Sequence, residues 1–179
     1  MKIESLHDLF VNELKDLHNA ETQLVNALPE LVKAASTPQL KQAFLEHLEQ
    51  TKGHVRRLEG ILTTLGQSPG RNRCVGMEGL IREAKDLMKD GSDPDVLDAG
   101  LIVAAQKVEH YEMAAYGSAR AHAGTLGNTS AHRTLQETLN EEADADRRLT
   151  KIAEDLVNLE AAEPDRAERD EEETGASAR

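Results

Sequence analysis

LDAGLIVAAQKVEHYEMAAY, residues 97–116, is an apolar helical stripe broken on its own core side by two carboxylates. At about 100° per residue, Leu97, Leu101, Ala105, Val108, Glu109, Glu112 and Tyr116 share one face. Glu109 and Glu112 therefore stand where a core-facing helix ordinarily carries leucine. A buried charge without a partner costs far more than one apolar contact returns. The other amphipathic segments bring more such groups to the same place.

Phe10, Leu14, Leu17, Glu21, Leu24, Leu28 and Leu31 keep a helical period to about Ala35, behind a capping-box-like start at Ser5 and Asp8. Thr37-Pro38 joins a capping residue to proline at the first helical position and opens a second helix. Its inner face reads Leu40, Phe44, His47, Leu48, Thr51, Val55, Leu58 and Leu62, and Gly66 ends it. Asp93-Pro94 repeats the opening signal ahead of the quoted stretch, which breaks between Gly124 and Asn128. A fourth helix from about Thr129 to Asn158 turns Leu135, Leu139, Glu142, Asp146, Leu149, Ala153 and Leu156 inward.

Connection lengths give the topology. The short breaks within the first and last helix pairs make antiparallel hairpins. The link from Gln67 to Ser92 is long enough to traverse the bundle and carries a short amphipathic helix near Met77–Lys89. Two hairpins joined by one long crossover describe an all-α, ferritin-like four-helix bundle. Residues 1–159 are expected to form that domain. The ending EPDRAERDEEETGASAR lacks apolar periodicity, so 160–179 are expected to be a disordered acidic tail.

A net charge of -12 and a chain with only two Phe, two Tyr and no Trp disfavour binding to nucleic acid or anionic lipid. No apolar stretch approaches membrane-spanning length, and MKIESLHDLF has no signal-peptide core, so a cytoplasmic protein without a membrane partner is expected. The single Cys74 cannot form an intramolecular disulfide and reads as a packed small hydrophobe. There is no glycine-rich phosphate loop, nucleophile elbow, CxxC pair or zincin motif.

What remains is the inward polar set: Glu21, His47, Glu109, Glu112, Glu142 and Asp146, contributed by four helices. Carboxylates and imidazoles are the ligands that iron and manganese take in bundle cores. Two divalent ions would offset most of the buried charge, and without them some carboxylates would have to stay protonated. The competing reading places the acids at helix ends or pairs them with Arg or Lys across the bundle. The basic residues Lys52, Arg56, Arg57, Arg147, Arg148 and Lys151 lie mostly off the shared face, which weakens it. In the second helix Thr51 holds the central position, Glu49 points outward and His54 falls at the edge of the stripe. Glu49 and His54 are reserve ligands. Tyr116 either packs in the core or supports a ligand carboxylate through its hydroxyl.

Five stretches carry a resemblance: AETQL at 20–24, HLEQT at 47–51, CVGMEGLI at 74–81, AAQKVEHYE at 104–112 and NEEADAD at 140–146. Through them the chain resembles the YciF-type family of bacterial ferritin-like stress proteins, over about Leu6 to Leu156. The resemblance implies a ferritin-like bundle, often a homodimer, with a di-iron centre and a link to stress responses. Ferritin-like proteins usually carry Glu-x-x-His on their second and fourth helices. This chain offers Glu49 with Lys52 and Glu142 with Ala145 at that spacing, a departure that bears on how tightly two metals bind. Two functions are expected from different classes. One is a centre of two iron ions, or manganese, that reacts with peroxide or dioxygen. The other is a non-catalytic stress protein that acts through dimerisation or a protein partner, with its metal structural or absent.

Overall fold

Each of the four long helices begins at a side chain that captures free backbone amides. Residues 3–90 and 93–163 are described by the computed structural model. Ser5 Oγ accepts the Asp8 amide at 3.0 Å and starts α1 (Leu6–Ala34). The Asp8 carboxylate accepts the Glu4 amide at 3.2 Å, which completes the box one residue upstream of its usual place.

Thr37 precedes α2 (Pro38–Thr64), as the Thr-Pro signal predicts, but its hydroxyl makes no capping bond. A carboxylate from another helix caps this end. Asp98, fully buried, accepts the Ser36 amide at 2.8 Å, the Ser36 hydroxyl at 2.8 Å and the Thr37 amide at 2.7 Å. Burial alone would raise the pKa of Asp98, but the bonds from Thr37 and Ser36 outweigh it and hold the group below 3.8.

Gly66, at φ 67°, turns the chain out of α2 into the crossover, which contains α3 (Val75–Leu87). Two glycines let α3 lie close against α4 (Pro94–Thr125). A Cβ on Gly76 would stand 2.8 Å from Tyr111 Cε2, and one on Gly100 would stand 2.6 Å from Leu87 Cδ2. Gln23 ties the start of α3 to α1, donating to the Cys74 carbonyl at 3.0 Å. Cys74 is buried, with its Sγ 3.0 Å from the Tyr111 hydroxyl.

α5 (Thr129–Ile152) runs into a π-helical turn at Ala153–Val157 and then α6 (Asn158–Ala161). The expected helix from Thr129 to Asn158 is therefore not regular throughout. The wider turn shifts the register, and Val157 rather than Leu156 is fully buried.

α1 pairs with α2 and α4 with α5, while α1 also packs on α4 and α2 on α5. The Ser36–Asp98 bonds join the end of α1 to the start of α4, so that pair is antiparallel. No helix among the described residues is long and apolar enough to cross a membrane. The expected acidic tail lies, beyond Glu163, outside the described residues.

The interior divides into two apolar halves. One gathers Leu24, Leu28, Leu31, Leu40, Phe44, Leu101, Ile102, Leu149 and Val157 near the α1–α2 turn. The other gathers Phe10, Leu14, Leu17, Leu58, Leu62, Tyr116 and Leu135. Burying each large side chain contributes roughly 1.5–3 kcal/mol, which lets the halves support a polar layer between them.

Candidate metal centre

That layer holds Glu21 of α1; His47, Thr51 and His54 of α2; Glu109 and Glu112 of α4; and Thr138 and Glu142 of α5, all buried. Thr51 Oγ donates to the His47 carbonyl at 2.9 Å, so the central side chain of α2 turns back on its own backbone. The two histidines then flank the middle of the bundle.

Ligand atoms converge in two groups. One atom each from His47, Glu109, Glu112 and Glu142 lie within 4.8 Å of one another, as do one each from Glu21, His54 and Glu142. Glu142 belongs to both.

Crowded acids in a dry layer resist ionisation. Burial, opposed by His54 and reinforced by Glu142, pushes Glu21 up to about 7. Burial and then the Glu142 charge raise Glu109 well above the carboxylate range, and burial and then Glu21 do the same to Glu112. Burial lowers the pKa of His47, favouring the neutral ring. Its Nε2 lies 3.3 Å from Glu109 Oε1.

His54 is the exception. Burial would lower its pKa, but the carboxylates of Glu142 and Glu21 drive it up to about 11. Its Nδ1 lies 3.0 Å from Glu142 Oε1 and 3.3 Å from Glu21 Oε1, at ion-pair distance but without hydrogen-bond alignment. On the other side of the ring, Nε2 is 2.8 Å from Glu141 Oε2. Glu141 is itself gripped by both arms of the Arg57 guanidinium, at 2.6 and 2.9 Å. Tyr116 donates its hydroxyl to Glu21 Oε1 and sets its ring edge-on to His54, 6.2 Å between centroids.

Many atoms here have no hydrogen-bond partner among the described residues. They are one oxygen each of Glu21 and Glu109, both oxygens of Glu112 and of Glu142, and Nδ1 of His47 and His54. Native interiors leave few such groups, and each calls for a reason.

The expected set is thus brought together at Glu21, His47, Glu109, Glu112 and Glu142. Asp146 is not among them: its side chain is 19% exposed at the rim, accepting from Gln106 at 3.1 Å and lying 3.4 Å from His110 Nε2. Glu49 is outward, 71% exposed and paired with Lys52. His54, placed at the stripe's edge by periodicity, is in the centre of the layer. A signal for it was present, since His47 and His54 are two turns apart and such residues share a face. Glu141 and Arg57 carried no comparable signal.

Known proteins share this chain's sequence and fold. A family model described as a domain of unknown function, DUF892, matches residues 5–162. Protein YciF of Escherichia coli strain K12 is 42% identical over 162 residues, covering 90% of this chain and 98% of that protein. The crystal structure of the E. coli stress protein YciF superposes with a TM-score of 0.84, covering 87% of this chain and 99% of that one. YcfI from Rhodopseudomonas palustris, named a candidate structural protein, superposes with a TM-score of 0.82 at 38% identity, covering 85% and 97%.

Proposed function

We propose, from the premise that the chain belongs to the DUF892 family and is YciF-like, that its polar layer holds two divalent metal ions, iron ahead of manganese, in a stress-related protein that meets peroxide or dioxygen. The observation that carries this reading is the donor set. Glu21, Glu109, Glu112, Glu142, His47 and His54 are buried together with eight orphaned polar atoms among them. Di-iron bundles use four carboxylates and two imidazoles. Here the same inventory is distributed differently, with two histidines on α2 and two glutamates on α4 in place of the Glu-x-x-His pairs.

The residues fit such ions. Two divalent charges match four carboxylates, and His47, already favoured neutral by burial, is in the form a metal ligand needs. His54 would give up the Nδ1 proton and keep its Nε2–H on Glu141, a carboxylate–histidine arrangement that fixes the ring's tautomer. Tyr116 orients Glu21 in the same way. When bound, two such ions would supply the valence change that reaction with an O–O bond requires. The apolar halves on either side keep bulk water from these side chains.

Metal content per chain tests the reading. The unaltered protein, expressed with iron and manganese and desalted gently, should carry about two ions. Glu142→Ala should carry fewer than one, because both groups share it, while Glu21→Ala should keep about one and Glu49→Ala about two. No metal in the unaltered protein, or two ions in Glu142→Ala, would sink the site.

A second reading has its own support. His54 already offsets charge on Glu21 and Glu142, and one relative is named a candidate structural protein. In that case the layer sets the bundle's geometry and the protein acts through a partner or a second copy. Metal-loaded protein that leaves peroxide unconsumed would favour it.

A further inference from the structure

We propose that the apolar half beside the polar layer is a binding chamber for one small uncharged molecule with an apolar body and a single hydroxyl. A cavity of about 150 Å³ lies there, bounded by α1 to α5. Its cause is visible in the side chains. Ala27, Ala43, Ala84, Ala104, Ala105 and Ala145, drawn from five helices, stand where larger apolar residues would close the space. Protein interiors are packed as densely as organic crystals, so a void of this size is not the default. An apolar cavity of similar volume stays dry and admits a benzene-sized molecule.

The polar end makes this a site rather than a loose region. His47 and Glu109 form part of the wall, with side chains only 9% and 3% exposed. His47 Nδ1 and Glu109 Oε2 have no partner among the described residues. A hydroxyl that reaches either atom can donate to it or accept from it, according to which carries the proton. An apolar body occupies the space among Leu24, Leu28, Val108 and Leu149. Gln50, Asp144 and Arg148 line the side between α2 and α5, where Arg148 pairs with Glu46 across the two helices. Asp144 is paired with Arg147 and Arg148 with Glu46, so a charged ligand would lose its hydration in the chamber without a free countercharge, which disfavours it. The body of the chamber is formed by apolar side chains that the metal reading does not use; its polar end shares His47 and Glu109 with that reading, so the chamber is tested in metal-free protein.

The test is a titration of the full-length, chelator-treated protein with phenol and, separately, benzene, followed by methyl NMR. Phenol should give saturable one-to-one shifts at Leu24, Leu28, Ile81, Val108 and Leu149, and should bind roughly fivefold tighter than benzene, the factor one net hydrogen bond provides. Ala105→Phe and Ala145→Leu, which fill the space from different helices, should each weaken phenol by about tenfold or more. Three results would overturn the proposal: no saturable shift, phenol no tighter than benzene, or equal shifts at Leu14, Leu58 and Leu62 in the other half. The titration of the unaltered chain decides by itself if a variant fails to fold. Metal content is measured separately, so failure of one reading is distinguishable from failure of the other.

Discussion

Glu112→Gln should make the metal-free protein more stable and the metal-supplied protein poorer in metal. Glu112 is fully buried, neither oxygen has a hydrogen-bond partner among the described residues, and burial with Glu21, Glu142 and Glu109 raises its pKa well above 4.5. Above pH 4.5 the folded chain therefore keeps this proton over a range in which the unfolded chain has released it. The unfolded state binds fewer protons, so stability falls as pH climbs from 4.5. Over that range the cost grows by about 1.36 kcal/mol per pH unit for this one group. Glutamine has a similar shape and no proton to lose, so the variant escapes that slope. Urea unfolding of chelator-treated protein, followed by helical circular dichroism, should show the variant more stable, by a margin that widens by about 1.36 kcal/mol per pH unit as pH rises above 4.5. The gain should shrink as pH is lowered and vanish near pH 4.5. A constant offset from burying the amide would displace the difference equally at every pH and leave the trend intact. With metal supplied, the order should reverse, because ligand binding stabilises only the chain that can bind. A difference that does not change with pH would refute the reasoning.

Asp98→Ala should destabilise the protein by about 3 kcal/mol in the same unfolding assay, since it removes charge-assisted bonds and leaves the buried Thr37 amide unpaired. Asp98→Asn should cost less. Because the folded pKa of Asp98 is lowered, the unaltered chain's advantage over that variant is present above pH 3.8 and should be lost as pH falls below it. Glu141→Gln should weaken metal affinity by roughly tenfold or more in chelator competition, with helix content unchanged, because it loosens the partner that orients His54.

Period and punctuation in the sequence were enough for the four long helices, their hairpins and the crossover, because each apolar stripe needs a neighbour and each short break leaves only one. They also placed Glu21, His47, Glu109, Glu112 and Glu142 inside, as all five sit near the centre of a stripe. Residues at a stripe's edge are different, since the neighbouring helices decide which edge is covered. His54 and Asp146 occupy such edges. The first is enclosed by α1 and α5 and held by Glu141, while the second reaches the rim and meets Gln106. Capping shows the same division: Thr37-Pro38 marks where α2 begins, but a carboxylate 61 residues away satisfies its amide. The π turn at Ala153–Val157 and the cavity left by alanines on five helices are likewise collective. Local sequence determined which faces turn inward, because periodicity is a property of one helix. Only the tertiary structure decided which polar groups meet and what space remains between them, because both depend on how five helices close on one another.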